Sequence, residues 1–403
     1  MLVVTANWAI TDGTVHGGPP NATVRAFFRE LRRTAWRAGF RHDGRYRPVD
    51  SIQIVFAGDT FDGLTSLAWH GDLRPWQGGP RTRAAAEQIA AAAGRRGARL
   101  LAGLGRLRRD GLSVPRADER GRPLPGITCQ AAVSVVCLVG DRDRVLDGHW
   151  FTAVAGRHGI PIGTEWSSDA VVVRHGAECD PLCGVPDLPA YGRAPTLAES
   201  LTVDLLVDFS RRLQDAPVPR VTAAAVTNRL ATAPPLQMPH TIAGCHEPAI
   251  RTVWQRSVHH WHSQALATMP EAAVAHDTVD ALAAWMEAGS GRERHGLRDS
   301  LAAVIDSLRP QVPRRRSDSR LFVLGHPPAT MHDDTEAGGR GGLCLGPAMA
   351  GALPMPAAVA FPVSGSHRGI WLTHDQRTID RVRTIHVAAC GGISDEPGIV
   401  DAA

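Results

Sequence analysis

The run Ile52-Gln53-Ile54-Val55-Phe56-Ala57 stops abruptly at Gly58-Asp59. An apolar row rich in β-branched and aromatic residues marks a strand buried on both faces, and such strands belong to parallel sheets covered by helices. Ligand sites in these sheets lie beyond the carboxyl ends of the strands. Asp59, delivered at that point, is the first candidate site residue, and an α/β fold is the first expectation.

The arrangement recurs along the chain. Residues 131–139 are apolar and end in Gly140-Asp141-Arg142-Asp143, residues 170–174 end in His175-Gly176, and residues 321–324 end in Gly325-His326. Residues 2–5 predict a short first strand that breaks at Ala6-Asn7-Trp8. Residues 24–38 then place Phe27, Phe28, Leu31, Ala35 and Ala38 at helical spacing. Strand, helix and the strand over 52–57 read as a β-α-β unit, the start of a largely parallel sheet. Asp59, Asp141, Asp143, His175 and His326 together form a mixed carboxylate and imidazole set, suited to Mn, Zn or Fe and less so to an all-oxygen calcium site.

Elsewhere the pattern is coarser. Residues 83–110 read as a helix, 121–126 as a Pro/Gly loop, and 197–213 and 279–286 as apolar helices. Between the last two lie His259, His260 and His262, interleaved with Trp254 and Trp261 on what reads as a half-buried helix. Residues 1–183 are predicted to form the first part of one domain, 184–310 a mostly helical elaboration, 311–392 the rest of that domain, and 393–403 a frayed tail. Arg314, Arg315 and Arg316 fall in a solvated connector.

Composition narrows the class. Every one of the 44 basic residues is Arg, and the formal net charge of +4 is small for 403 residues, so charge alone does not imply a nucleic-acid partner. No stretch approaches the roughly 18 consecutive apolar residues of a membrane span, and the odd, scattered set of seven Cys predicts free thiols. A cytoplasmic protein without a membrane partner is expected.

The motif order resembles the calcineurin-like metallophosphoesterase superfamily, whose motifs run Asp-x-His, Gly-Asp-x-x-Asp, Gly-Asn-His-Asp/Glu, a lone His, and Gly-His-x-His. Gly58-Asp59-Thr60-Phe61-Asp62 fits the second motif completely. His175-Gly176-Ala177-Glu178-Cys179-Asp180-Pro181 is similar to the lone-His segment of a bacterial branch, and Gly325-His326 matches the first half of the last motif. The resemblance implies a four-layer αββα sandwich with a mostly helical insertion.

The departures fall together. Ala6 and Trp8 stand where the first motif supplies Asp and His, Gly140-Asp141-Arg142-Asp143 replaces the third motif, and Pro328 ends the last. Carried over from the family, one metal keeps only Asp59. The other keeps a full set: Asp59, Asp141 in place of Asn, His175 and His326. Arg142 takes the place of the family's acid His, and a guanidinium cannot protonate a leaving alkoxide, although it can clamp a phosphate. Catalytic roles thus fall to Arg142 and Asp143. The expectation is a metallophosphoesterase-like pseudoenzyme holding one divalent ion (Mn, Zn or Fe) rather than two, with weak or no hydrolysis and a phosphorylated small molecule or a protein as partner. The alternative is an active hydrolase with a mononuclear or rebuilt site, in which Asn7 or His332 restores ligands. Trp8 is expected to serve as packing in the space of the lost ligand.

Overall fold

The structure, a computed structural model, describes residues 1–19, 21–41, 43–144, 149–168, 171–177, 180, 182–183, 192–233, 235–269, 274–288 and 321–325. Beyond these it describes the strand segments 342–344, 348–350, 353–355, 358–361, 368–372, 384–388 and 392–394. The chain is a mixed α/β protein with a parallel sheet at its centre.

Strand β1 (Leu2–Thr5) lies parallel to β2 (Ser51–Ala57), with Leu2 opposite Gln53 and Thr5 opposite Phe56. Between them runs α1 (Asn21–Ala38), and after β2 comes the long helix α2 (Pro80–Asp110). A hairpin of β3 (Leu112–Ala117) and β4 (Pro123–Leu138) follows, and the second half of β4 lies parallel to β2, with Ala57 opposite Leu138. Helix α3 (His149–Arg157) leads to β5 (Ile162–Gly163), which extends β4 in parallel. Every other residue of β2 faces α1 and α2: Ile52, Ile54 and Phe56 share a core with Phe27, Leu31, Ile89 and Leu104. That alternation explains why both faces of the strand are apolar.

A second sheet begins with β6 (Glu165–Ser167) and β7 (Val171–Arg174), which are antiparallel. The chain then turns helical. A capping box at Thr196 opens α4 (Leu197–Ser200), a π-helical segment spans Leu201–Val207, and α5 (Asp208–Asp215) completes that rod. Helices α6 (Arg220–Thr232), α7 (Met238–Ala243), α8 (Pro248–Thr268) and α9 (His276–Glu287) close a core of their own around Trp254, Trp261 and Leu205. Trp254 and Trp261 donate to Met286 O and Ser200 Oγ, so the Trp- and His-rich stretch is a packed helix, with His262 turned outward to Asp280.

The chain returns with β8 (Leu321–Leu324) parallel to β7 and β9 (Gly342–Cys344) parallel to β8, giving the order β6-β7-β8-β9. A small hairpin follows, β10 (Ala348–Ala350) with β11 (Leu353–Met355). Strand β12 (Ala358–Phe361) then pairs antiparallel with β1, and β13 (Arg368–Leu372), β14 (Thr384–Ala388) and β15 (Gly392–Ser394) continue outward. The first sheet thus has nine strands, ordered β15-β14-β13-β12-β1-β2-β4-β3, with β5 on β4. Val4, Ala6, Val55, Ala57 and Leu138 of this sheet meet Val173 of the second in a small apolar layer.

One local expectation is corrected. Residues 121–126 are not all loop: the turn is finished by Arg122 and β4 begins at Pro123. The Asp118 carboxylate accepts from the amides of Arg120 at 2.9 Å and Arg122 at 2.7 Å, which closes the turn early. The prolines survive because the hairpin stands at the sheet edge, where a missing donor leaves no neighbouring strand unpaired.

Candidate metal centre

Four strand ends from the two sheets come together. His175, one residue beyond β7, is buried, and its Nδ1–H donates to Ala57 O at 2.9 Å, which turns Nε2 toward the ends of β2 and β4. There Nε2 lies 2.6 Å from Asp141 Oδ1 and 3.5 Å from Asp59 Oδ2. Asp59, Asp141 and His175 are all buried and each offers a ligand atom within 4.8 Å of the others, a cluster that could hold a metal ion. A backbone acceptor on the far ring nitrogen is the usual way a ligating His is fixed in one tautomer.

The approach is close enough to need glycine. A Cβ on Gly58 would stand 2.1 Å from His175 Nδ1, one on Gly140 2.1 Å from Asp59 Oδ1, and one on Gly325 1.8 Å from Ala57 O. The backbone is also unusual here. Among the described residues the non-glycine residues with positive φ are Asn7 (57°), Ala9 (45°) and Asp59 (51°), all just beyond β1 and β2. Such conformations are kept where surrounding structure enforces them, and they cluster at functional sites.

Arg142 and Asp143 sit beside the cluster. The Arg142 amide donates to Asp59 Oδ1 at 3.1 Å, while its guanidinium turns away: Nη1 reaches Asp62 Oδ2 at 2.9 Å and Ala231 O at 3.3 Å. Asp62 also accepts from the amides of Leu64 and Thr65 and from the Thr65 hydroxyl, so it orders its own loop and holds the arginine. Asp143 accepts from the amides of Gly140 and Thr60 and ties the end of β4 to that of β2.

The electrostatics follow from burial and neighbours. Burial alone would push the His175 imidazolium pKa down, but the Asp59 and Asp141 carboxylates reverse this and raise it to about 10. Burial, and then the Asp59 charge, push the Asp143 carboxyl well above the usual range. Burial would raise Asp62 too, yet Arg142 holds it below the usual carboxylate range.

Of the predicted residues the structure therefore joins Asp59, Asp141 and His175, with Arg142 and Asp143 as neighbours. His326, His332 and Pro328 lie outside the described residues, as do Arg314, Arg315 and Arg316. Gly325, the residue before His326, is fixed by its amide on Arg174 O and by Asn7 Nδ2 donating to its carbonyl at 2.8 Å. The Asn7 amide nitrogen is thereby committed to the second sheet. Ala6 sits in the layer between the sheets, and Trp8 packs edge-on to Phe27 and against Phe56 on the helix side. Trp8 is packing, as expected, but within the helix-covered core.

Two features escaped the sequence reading. Cys183 Sγ lies 3.9 Å from Asp141 Oδ2; the four-residue spacing of His175, Cys179 and Cys183 would align them for zinc on a helix, but Gly176 and Pro181 argue against a helix there, so Cys183 is not among the expected ligands. His16 Nε2 is buried 3.9 Å from Asp62 Oδ2 without a hydrogen-bond partner among the described residues; only its place in the loop after β1 could have drawn attention. Comparison with family models, with curated proteins and with solved structures finds no match for this chain. Among the described residues no helix is long and apolar enough to cross a membrane.

Removing the positive charge of His175 has a predictable sign. Its folded pKa is raised above the unfolded value near 6.5, so its stabilising contribution is complete below that pH and is lost as pH rises through about 10. Asp143, raised as well, acts in the same direction from a lower starting pH. Metal-free protein should therefore melt at progressively lower temperature from pH 7 to pH 10, and His175→Gln should flatten that slope in thermal melts at matched ionic strength. Metal affinity should run the opposite way, because a ligating imidazole must first lose its proton.

Proposed function

We propose that this chain is a metallophosphoesterase-like protein, built as a four-layer αββα sandwich, that keeps one metal site and has little or no hydrolytic activity. The observation that carries the reading is the convergence of Asp59, Asp141 and His175 at three strand ends, buried and in mutual reach. Their oxygen and imidazole donors suit Mn, Zn or Fe, with His326 as the fourth ligand that the resemblance supplies. A bound divalent ion would act as a Lewis acid toward a phosphoryl oxygen.

The chain's own groups favour binding over turnover. Arg142 remains charged at any working pH and cannot serve as a general acid. Its Nη1 donates to Asp62 and Ala231, while Nε and Nη2 have no partner among the described residues and can donate to a phosphate oxygen. Asp143, held by two backbone amides, positions the loops and does not reach out as a base. Loss of one metal and of the acid removes several kcal/mol of transition-state stabilisation, at about 1.4 kcal/mol for each tenfold in rate. The second reading is an active hydrolase with a rebuilt site, in which Asn7, His332 or another unaligned residue restores the missing ligands; Asn7 would ligate through Oδ1, since its Nδ2 donates to Gly325 O.

Elemental analysis with calorimetric titration of Mn and Zn tests the proposal. One ion per chain is expected, with binding abolished in Asp59→Ala and hydrolysis of an aryl phosphodiester at background level. At a hundredfold excess over Kd the ion should add about 2.7 kcal/mol to stability. Two ions per chain together with turnover lost in Asp59→Ala would establish the active enzyme instead.

A further inference from the structure

The small overall charge hides a strong segregation. Helix α1 carries five arginines and one acid, and α2 carries eight arginines and two acids, so these 49 residues hold a net +10. The whole chain holds only +4, which leaves the other 354 residues at −6.

The arginines are also arrayed. On α2, Arg81, Arg95, Arg99, Arg106 and Arg109 follow successive spacings of fourteen, four, seven and three residues that return to one side of an α-helix, and all five are exposed. The 28 residues from Arg81 to Arg109 span about 42 Å at 1.5 Å per residue. On α1, Arg25, Arg29 and Arg32 share the exposed side with Trp36. The two helices lie side by side on one face of the nine-stranded sheet, where Phe28 of α1 packs over Gly103 of α2. Arg29 faces Glu30 at 3.6 Å, but no described acid forms an ion pair with Arg25, Arg32 or the five of α2.

We infer that the outer face of α1 and α2 docks the phosphate backbone of double-stranded DNA without reading its sequence. A duplex presents one negative charge per about 1.7 Å of axis, and a stripe of about 42 Å runs alongside more than one full turn. A single strand fits less well, since α2 has no aromatic residue and Trp36 is the one exposed ring on either helix, where single-strand sites stack successive bases. A membrane surface fits less well again. Interfacial helices bury an apolar face in lipid, and here those faces, with Phe27 and Leu31 on α1 and Ile89 and Leu104 on α2, are spent on the sheet.

Fluorescence anisotropy with a labelled 20-bp duplex of arbitrary sequence tests the surface on the whole protein without added metal, so its result is separate from that of the metal site. Binding is expected at 50 mM salt, weakening about a hundredfold by 200 mM if about four phosphates are neutralised. The triple variant Arg95→Gln/Arg99→Gln/Arg106→Gln should weaken it by at least about tenfold and flatten the salt dependence by about 0.9 per lost contact. The pair Arg29→Gln/Arg32→Gln should act in the same direction. The control Arg220→Gln/Arg251→Gln/Arg256→Gln, on exposed positions of α6 and α8, removes the same formal charge and should leave affinity unchanged. No binding at 50 mM salt, equal loss in the control, or tighter binding to phosphatidylserine vesicles than to the duplex would overturn the inference.

Discussion

Alanine at position 58 is expected to cost about 2–5 kcal/mol of stability and to abolish metal binding. Two effects add. Gly58 has φ of 92°, a conformation that an L-residue enters at a cost of about 1–2 kcal/mol, and the new methyl would stand 2.1 Å from His175 Nδ1. That ring cannot step aside cheaply, because Nδ1 is bonded to Ala57 O and Nε2 lies against Asp141. Overpacking of this kind costs about 1–3 kcal/mol. Chemical denaturation of wild type and Gly58→Ala, with and without Mn, measures both parts. A variant of unchanged stability that still takes up metal would show that His175 is not held where the structure places it.

Arg142→Met should be as damaging for a different reason. It leaves Asp62, fully buried, without the cation that holds its carboxyl in the charged form, and breaking one side of a buried pair costs about 3–5 kcal/mol. The double variant Arg142→Met/Asp62→Asn removes the stranded charge and should recover much of the loss, since a neutral pair in the same volume carries no uncompensated ion. The pH dependence separates the two cases. A depressed folded pKa gives stability that is present above the unfolded carboxylate value and lost as pH falls, so wild type should lose this contribution on acidification and the double variant should not. Equal stabilities in the two variants would mean that Asp62 draws enough compensation from the amides of Leu64 and Thr65 and the Thr65 hydroxyl without Arg142.

The strand ends were legible because burial writes itself into composition. Ile52 to Ala57 had to be apolar on both faces, one against α1 and α2 and one against the second sheet, and the Gly-Asp that follows had to sit where the strand leaves the core. The same logic located Asp141 and His175. It could not locate the Arg142 guanidinium, whose direction is set by Asp62 and by the carbonyl of Ala231 in α6, a contact across 89 residues. Nor could it show that Trp8 faces the helices, since that depends on which way the strand pleat continues through Asn7 at positive φ. The β3–β4 hairpin was missed because Pro123 and Gly126 punctuate it as they would a loop, and only the edge position makes them harmless.

The placement of β1 bears on how the chain is made. On one side its residues pair with Ser51–Ala57, made soon after them, but on the other side they wait for Ala358–Phe361. Through the synthesis of some 300 intervening residues the apolar edge at Leu2–Thr5 therefore stands open, a row of unpaired amides and carbonyls of the kind that recruits a second chain. Closing the sheet is a late and non-local event, and the nascent protein is most vulnerable to association while its helical half is being built.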